Sequence, residues 1–195
     1  MSLRLFFGCL ILVLALSACG PSGPKFHNAD ITGADYARDF SLTDHTGKLR
    51  TLADFRGKVV LVFFGFTRCP DVCPTILAEF KLVLEQLGED AGRVQVLFVT
   101  VDPERDTQQI LAQYVPAFDP SFLGLYGDAA ATAKTAKDFK VFYQKVPGEK
   151  PDSYTMDHTA GSYAFDPQGR LRLFVRHGGS MEPLLADIRT LLSGK

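Results

Sequence analysis

Every residue from Val59 to Phe64 is apolar, and no charge interrupts the run. A stretch this short and continuous, entered through Phe55-Arg56-Gly57-Lys58, reads as a central strand buried on both faces. Such a strand needs other strands beside it and helices above and below, which commits the chain to a layered α/β fold. The next residues tighten the constraint. Thr67-Arg68-Cys69-Pro70-Asp71-Val72-Cys73-Pro74 comes directly after the strand, and Ile76, Phe80, Val83, Leu84 and Leu87 then recur at helical spacing up to a stop at Gly88. Strand, cysteine loop and helix form one continuous unit.

The remaining pattern continues that alternation. Val94 to Val101 reads as a second buried strand and Thr107 to Val115 as a second helix, an order that gives a parallel sheet with right-handed crossovers. Asp128 to Phe139 reads as an alanine-rich helix and Met181 to Leu192 as a closing amphipathic one. Two hairpins are expected. One is N-terminal, from Asp39 around Asp44-His45-Thr46-Gly47; the other pairs Tyr163-Ala164-Phe165 with Leu171 to Val175 around Asp166-Pro167-Gln168-Gly169. The predicted fold class is α/β: a central mixed sheet flanked by helices, with an N-terminal hairpin and a cysteine pair at the carboxyl end of the first long strand. That is the thioredoxin-like arrangement, and open sheets carry their sites at such strand ends.

Ahead of this domain, Arg4 precedes an uncharged apolar run from Leu5 to Ala18, short for a bilayer span and suited to the core of a signal peptide. The run closes on Leu16-Ser17-Ala18-Cys19, which resembles the lipobox of bacterial lipoproteins. The resemblance implies removal of residues 1–18, acylation of Cys19, and a domain exported to the periplasm but anchored by lipid to a bacterial membrane; an uncleaved anchor would leave it on the same side. Residues 19–35, opening on a Pro- and Gly-bearing stretch, are expected to be the lipidated tether, and residues 36–195 the folded domain.

Composition removes other classes. With 21 Lys+Arg against 22 Asp+Glu and no basic cluster, the chain offers nucleic acid no electrostatic footprint. Four cysteines are too few for a disulfide scaffold. Cys9 lies inside the apolar leader as a small hydrophobe and Cys19 is the lipidation candidate, so Cys69 and Cys73 remain for chemistry.

Three residues separate Cys69 from Cys73, one more than in a thioredoxin redox motif. Pro74 disfavours helical geometry at Cys73, so both sulfurs are expected in a tight loop at the helix start. There the helix N–H groups and positive dipole end favour thiolate over thiol. Paired thiolates close to a disulfide or hold Cu(I), Cu(II) or Zn(II), and the residues alone leave these open.

Cys-Pro-Asp-Val-Cys-Pro, the stretch Phe98 to Thr107 with Asp102-Pro103-Glu104-Arg105-Asp106, and Tyr154-Thr155-Met156-Asp157-His158 together resemble the Sco/SenC family of copper proteins. The resemblance covers roughly Phe40 to the C-terminus, with the motifs in the family's order. One departure is Tyr163-Ala164, where the family usually has Tyr-Leu. The resemblance implies a thioredoxin-like fold and one copper, Cu(I) or Cu(II), per chain, held by Cys69, Cys73 and His158. It also implies a part in assembling the dinuclear copper centre of cytochrome c oxidase. The partners would be the oxidase's copper-receiving subunit and a copper donor or thiol reductant. Without the family, His158 is a lone histidine in a polar loop, equally readable as a surface residue. His27 in the tether and His45 in a turn are expected to be exposed, and His177 is the competitor. Asp71 and Asp157 stand where they would orient ligands or tune their basicity, or else cap turns. The acidic residues Asp102, Glu104 and Asp106 are expected to dock a partner or shape their loop, with Asp106 as a helix cap the alternative.

Two functions are compatible with these residues. A metallochaperone needs a three-ligand site with a position open for transfer, which two thiolates and an imidazole provide. A thiol-disulfide oxidoreductase, reducing the cysteines of an oxidase subunit or another exported protein, needs only a poised disulfide. Against general exchange, the chain has no Trp to precede the cysteine and no proline between Pro151 and Pro167 to supply the cis-proline of thioredoxins.

Overall fold

The computed structural model describes residues 23–150, 153–178 and 180–194. The apolar leader, Cys9 and Cys19 lie outside the described residues. The strands are β1 (Ala29–Asp30), β2 (Leu42–Asp44), β3 (Leu49–Arg50), β4 (Val59–Gly65), β5 (Val94–Thr100), β6 (Leu123–Tyr126), β7 (Tyr143–Pro147), β8 (Tyr154–His158), β9 (Gly161–Phe165) and β10 (Leu171–Arg176). The helices are α1 (Val72–Leu87), α2 (Gln108–Tyr114), α3 (Ala129–Asp138) and α4 (Glu182–Leu192).

β4 is the central strand its composition demands, buried at every residue, and β5 is buried in the same way. The two pair in parallel from Val59 opposite Val94 to Gly65 opposite Thr100. β6 extends the parallel block, while β9 pairs antiparallel to the other side of β4. The complete sheet runs β1-β10-β9-β4-β5-β6-β2-β3, and β7 and β8 form a separate two-stranded ribbon. Helix α1 buries Ile76, Leu77, Phe80, Val83, Leu84 and Leu87, and α4, which buries its own leucines and Ile188, packs against it. Each such side chain contributes roughly 1.5–3 kcal/mol on burial. Aromatic rings interlock across the sheet, with Phe64 and Phe139 at 5.2 Å and Phe139 and Tyr163 at 5.4 Å between centroids.

The two expected hairpins share one device. Asp44 accepts the Thr46 N–H at 2.8 Å and the Lys48 N–H at 3.0 Å, and takes Arg50 Nε at 2.7 Å. Asp166 repeats this with the Gln168 and Arg170 N–H groups and Arg170 Nε. Burial raises the Asp44 carboxyl, but hydrogen bonds from Thr46 and Arg50 prevail and bring it down to about 2. Gly47 and Gly169 close the turns at φ of 88° and 70°, where a side chain would strain the backbone.

Four expectations are corrected. Residues 27–35 are not all tether: β1 pairs with β10, and the His27 and Asn28 N–H groups both donate at 2.8 Å to Asp187 of α4. Asp187 is fully buried, and these donors meet a charge that would otherwise cost several kcal/mol. Tyr154–His158 is a strand rather than a loop. It carries the alternation of a half-buried strand, with Tyr154, Met156 and His158 more buried than the exposed Thr155 and Asp157, but only over five residues, and its partner β7 is largely exposed with no such alternation. Cys73 lies inside the first turn of α1 rather than ahead of it, because Pro74 occupies a position whose N–H has no helical partner to lose. Thr107, not Asp106, caps α2 by accepting the Ile110 N–H at 3.3 Å. Among the described residues no helix is long and apolar enough to cross a membrane.

Candidate metal centre

The chain leaves β4 at Gly65, turns where the Phe66 carbonyl accepts the Cys69 N–H at 3.2 Å, and enters α1 at Val72. The Cys73 N–H donates to Cys69 Sγ at 3.3 Å, so the first turn of the helix holds one sulfur while carrying the other. Cys73 is fully buried and Cys69 half-buried, and both are free thiols. Gly65 makes room for the inner sulfur. A Cβ there would stand 2.8 Å from the Phe98 ring and 2.9 Å from Cys73 Sγ.

His158 ends β8, opposite Tyr143 of β7, and its Nε2 lies 3.7 Å from Cys73 Sγ. Its Nδ1 is 3.1 Å from the Thr159 carbonyl, which can only accept; Nδ1 therefore carries the proton, and the Nε2 lone pair of the neutral ring faces the sulfur. Phe63 and Phe66 pack against the imidazole, with centroids at 6.2 Å and 5.9 Å. Burial holds the His158 pKa below its ordinary value, against the Thr159 carbonyl and the charge of Asp157. Burial also pushes the Cys73 thiol up, which corrects the expectation that the helix start would favour both thiolates. A cation at this place would displace the Cys73 proton, so metal binding here releases protons.

Among the described residues no three His, Cys, Asp or Glu side chains are already gathered tightly enough to hold an ion. Cys73 and His158 nonetheless touch, and Cys69 is joined to Cys73 by one hydrogen bond. Two sulfurs and an imidazole nitrogen suit copper or zinc.

The other candidates lie elsewhere. His27 is exposed and bonded to Asp187, whereas His45 is half-buried rather than exposed, its Nδ1 accepting the Gly124 N–H at 3.0 Å. His177 has both nitrogens engaged, with Ser162 Oγ at 2.7 Å and Glu79 Oε2 at 3.2 Å. Asp71 and Asp157 are exposed, and the contact on the His158 ring nitrogen is the Thr159 carbonyl instead. Thr67 escaped the sequence reading: its N–H and hydroxyl bind the buried Asp106 at 3.0 Å and 2.6 Å, two residues ahead of Cys69. A threonine beside a turn carries no pattern that points to an aspartate so distant in sequence.

The SCO1/SenC family model matches residues 28–193. This chain belongs to the SCO1/SenC family. Among its relatives, the mitochondrial SCO2 homologue of Bos taurus is 42% identical over 153 residues, which are 77% of this chain and 58% of that protein. The chain thus spans little more than half of that relative's length. Among solved structures, Bradyrhizobium japonicum ScoI with copper bound is 44% identical with a TM-score of 0.73, covering 79% of this chain and 98% of that one. Apo Sco1 from Thermus thermophilus is 41% identical with a TM-score of 0.77, covering 88% and 99%. The thioredoxin-like fold and the Sco/SenC membership read from the motifs are both borne out. The match also begins within the stretch expected to be tether, as the pairing of β1 requires.

Proposed function

We propose that this SCO1/SenC chain is a copper metallochaperone that binds one copper through Cys69, Cys73 and His158. It delivers the ion to the copper-receiving subunit of cytochrome c oxidase. The observation that carries the reading is the approach of His158 Nε2 to 3.7 Å from Cys73 Sγ, on the same helix turn that holds Cys69 Sγ. The copper bound to the 44% identical Bradyrhizobium japonicum ScoI supports the choice of metal. Three protein donors leave a coordination position through which the acceptor's ligands can enter. Acylation at Cys19 would keep the domain at a membrane surface facing the periplasm, where such an oxidase subunit is reached; mass spectrometry of membrane-extracted protein tests this, since Cys19 still joined to Ala18 refutes it.

Titration of the reduced domain with Cu(I) and Cu(II) tests the metal reading. One equivalent should bind, the Cu(II) form should show sulfur-to-copper charge-transfer absorption, and an unchanged Cu(II) spectrum in His158→Ala would transfer the nitrogen ligand to His177 or His27.

One observation favours a second reading. The half-buried Cys69 beside the buried Cys73 is the asymmetry of an attacking and a resolving thiol, as a thiol-disulfide oxidoreductase requires. Full complementation of a deletion strain by His158→Ala at low copper, with loss only in Cys69→Ser and Cys73→Ser, would favour that reading over delivery.

A further inference from the structure

The loop joining β5 to α2 reaches both halves of the candidate site. At one end Asp106, 1% exposed, accepts the Thr67 N–H and hydroxyl and, at 2.6 Å, the Thr100 hydroxyl. At the other end Asp102, also 1% exposed, accepts the Tyr154 hydroxyl at 2.9 Å and pairs with Arg105. Arg105 in turn donates to the Tyr154 carbonyl at 2.8 Å and lays its guanidinium 3.5 Å from the centre of the Tyr154 ring. Tyr154 opens β8, the strand that ends in His158. From β7, Lys145 adds an ion pair with Glu104 and comes within 4.7 Å of the same ring. The ribbon is not part of the eight-stranded sheet, so contacts of this kind, together with the buried Met156, hold it in place.

We propose that Asp102 and Asp106 are positioning residues of the copper site, two ends of one clamp. The Asp106 end sets the turn that carries Cys69, and the Asp102–Arg105–Tyr154 end sets how close His158 stands to Cys73 Sγ. The proposal rests on the ligand assignment above. Buried hydrogen bonds to an ionised carboxylate are short, directional and strong, and two of them anchored in one short loop hold a fixed spacing between the elements they grip. Both carboxylates reach beyond their own loop to the segments that carry the ligands, Asp106 to Thr67 and Asp102 to Tyr154.

Tyr154→Phe removes a single hydroxyl and Asp102→Asn keeps the shape of the side chain, so the pair tests the histidine arm. Each variant should still bind one copper with its charge-transfer band present, but with Cu(II) affinity about tenfold lower, the low end of what ligand-orienting partners cost when removed. In a His158→Ala background Tyr154→Phe should cost nothing further, because the arm acts through His158. Thr67→Val tests the cysteine arm and should weaken Cu(I) binding by the same factor with or without His158. Unchanged Cu(II) affinity and spectrum in both Tyr154→Phe and Asp102→Asn would overturn the clamp. So would an equal loss from Tyr154→Phe in the two backgrounds, since a merely structural residue behaves that way. A parent domain that binds no copper, or a His158→Ala variant with unaltered Cu(II) binding, instead overturns the ligand assignment and the clamp with it.

Discussion

Cys73 hangs between a strand and a helix whose inner faces are buried, whereas His158 ends a ribbon whose residues are mostly half-buried or exposed and which lies outside the main sheet. The sulfur half of the site is therefore placed by apolar packing, with Phe63, Phe98 and Gly65 shaping the space around the inner sulfur. The nitrogen half has a smaller apolar footing, the buried Met156 and the Phe63 and Phe66 rings beside His158, and leans on polar contacts from one loop. Packing is dense and yields little, while a few hydrogen bonds are each worth only about 0.5–3 kcal/mol. The difference teaches that changes on the sulfur side should act on fold and metal together, and changes on the nitrogen side mainly on the metal.

The largest effect that would break this picture is on the sulfurs. Cys69→Ser and Cys73→Ser should each abolish tight copper binding and the charge-transfer band, read by titration of the reduced domain. Retained tight Cu(I) binding in either would show that the sulfur half is not the anchor. Next is His158→Ala, which should leave Cu(I) held by the two thiolates but weaken Cu(II) by at least about tenfold, because Cu(II) depends more on nitrogen ligands. Equal losses for both oxidation states would erase the distinction between the halves.

The same contrast explains what could be read from the residues alone. An uninterrupted apolar run, the cysteine spacing, Pro74 and Gly88 are local signals, and they place β4 and α1, although Pro74 sets the start of α1 too late and leaves Cys73 in the loop. In the ribbon β7 has no such signal, and that of β8 is a five-residue alternation with a single buried residue. Tyr143–Pro147 is largely exposed and β8 buries chiefly Met156, and the pair is held by contacts such as Tyr154 with Asp102 that join residues far apart in sequence. His158 was legible only through its resemblance to a family motif. The two-residue β1 was missed because its partners, β10 and Asp187, come near the end of the chain.

Packing on the sulfur side can be probed without touching a proposed ligand. Gly65→Ala places a methyl group 2.9 Å from Cys73 Sγ and 2.8 Å from the Phe98 ring, so the domain should lose about 1–3 kcal/mol in urea unfolding and bind copper less well. On the ribbon, Thr155→Ala removes an exposed side chain and should change stability by less than about 0.5 kcal/mol. A Gly65→Ala domain as stable as the parent would show that the sulfur is not wedged in place.

The smallest effect concerns the protons of the nitrogen half. In the metal-free protein, burial holds His158 below 6.5, and His177 is lowered for the same reason against the pull of Glu79. Between the folded value and 6.5 the unfolded chain binds the proton and the folded one does not. Stability therefore falls as the pH drops through that window and is recovered above it. His158→Ala removes one of these two contributions, so its unfolding free energy, measured across the window of about pH 5–8 where histidine titrates, should depend less steeply on pH than the parent's. Asp106, pushed up by burial, and Asp44, held at about 2, act alike in both proteins and cancel in the difference. Identical slopes would mean that the His158 ring is hydrated in the folded state. The ribbon would then stand further from the cysteine turn than the 3.7 Å contact requires, and the nitrogen half of the site would close only on the metal.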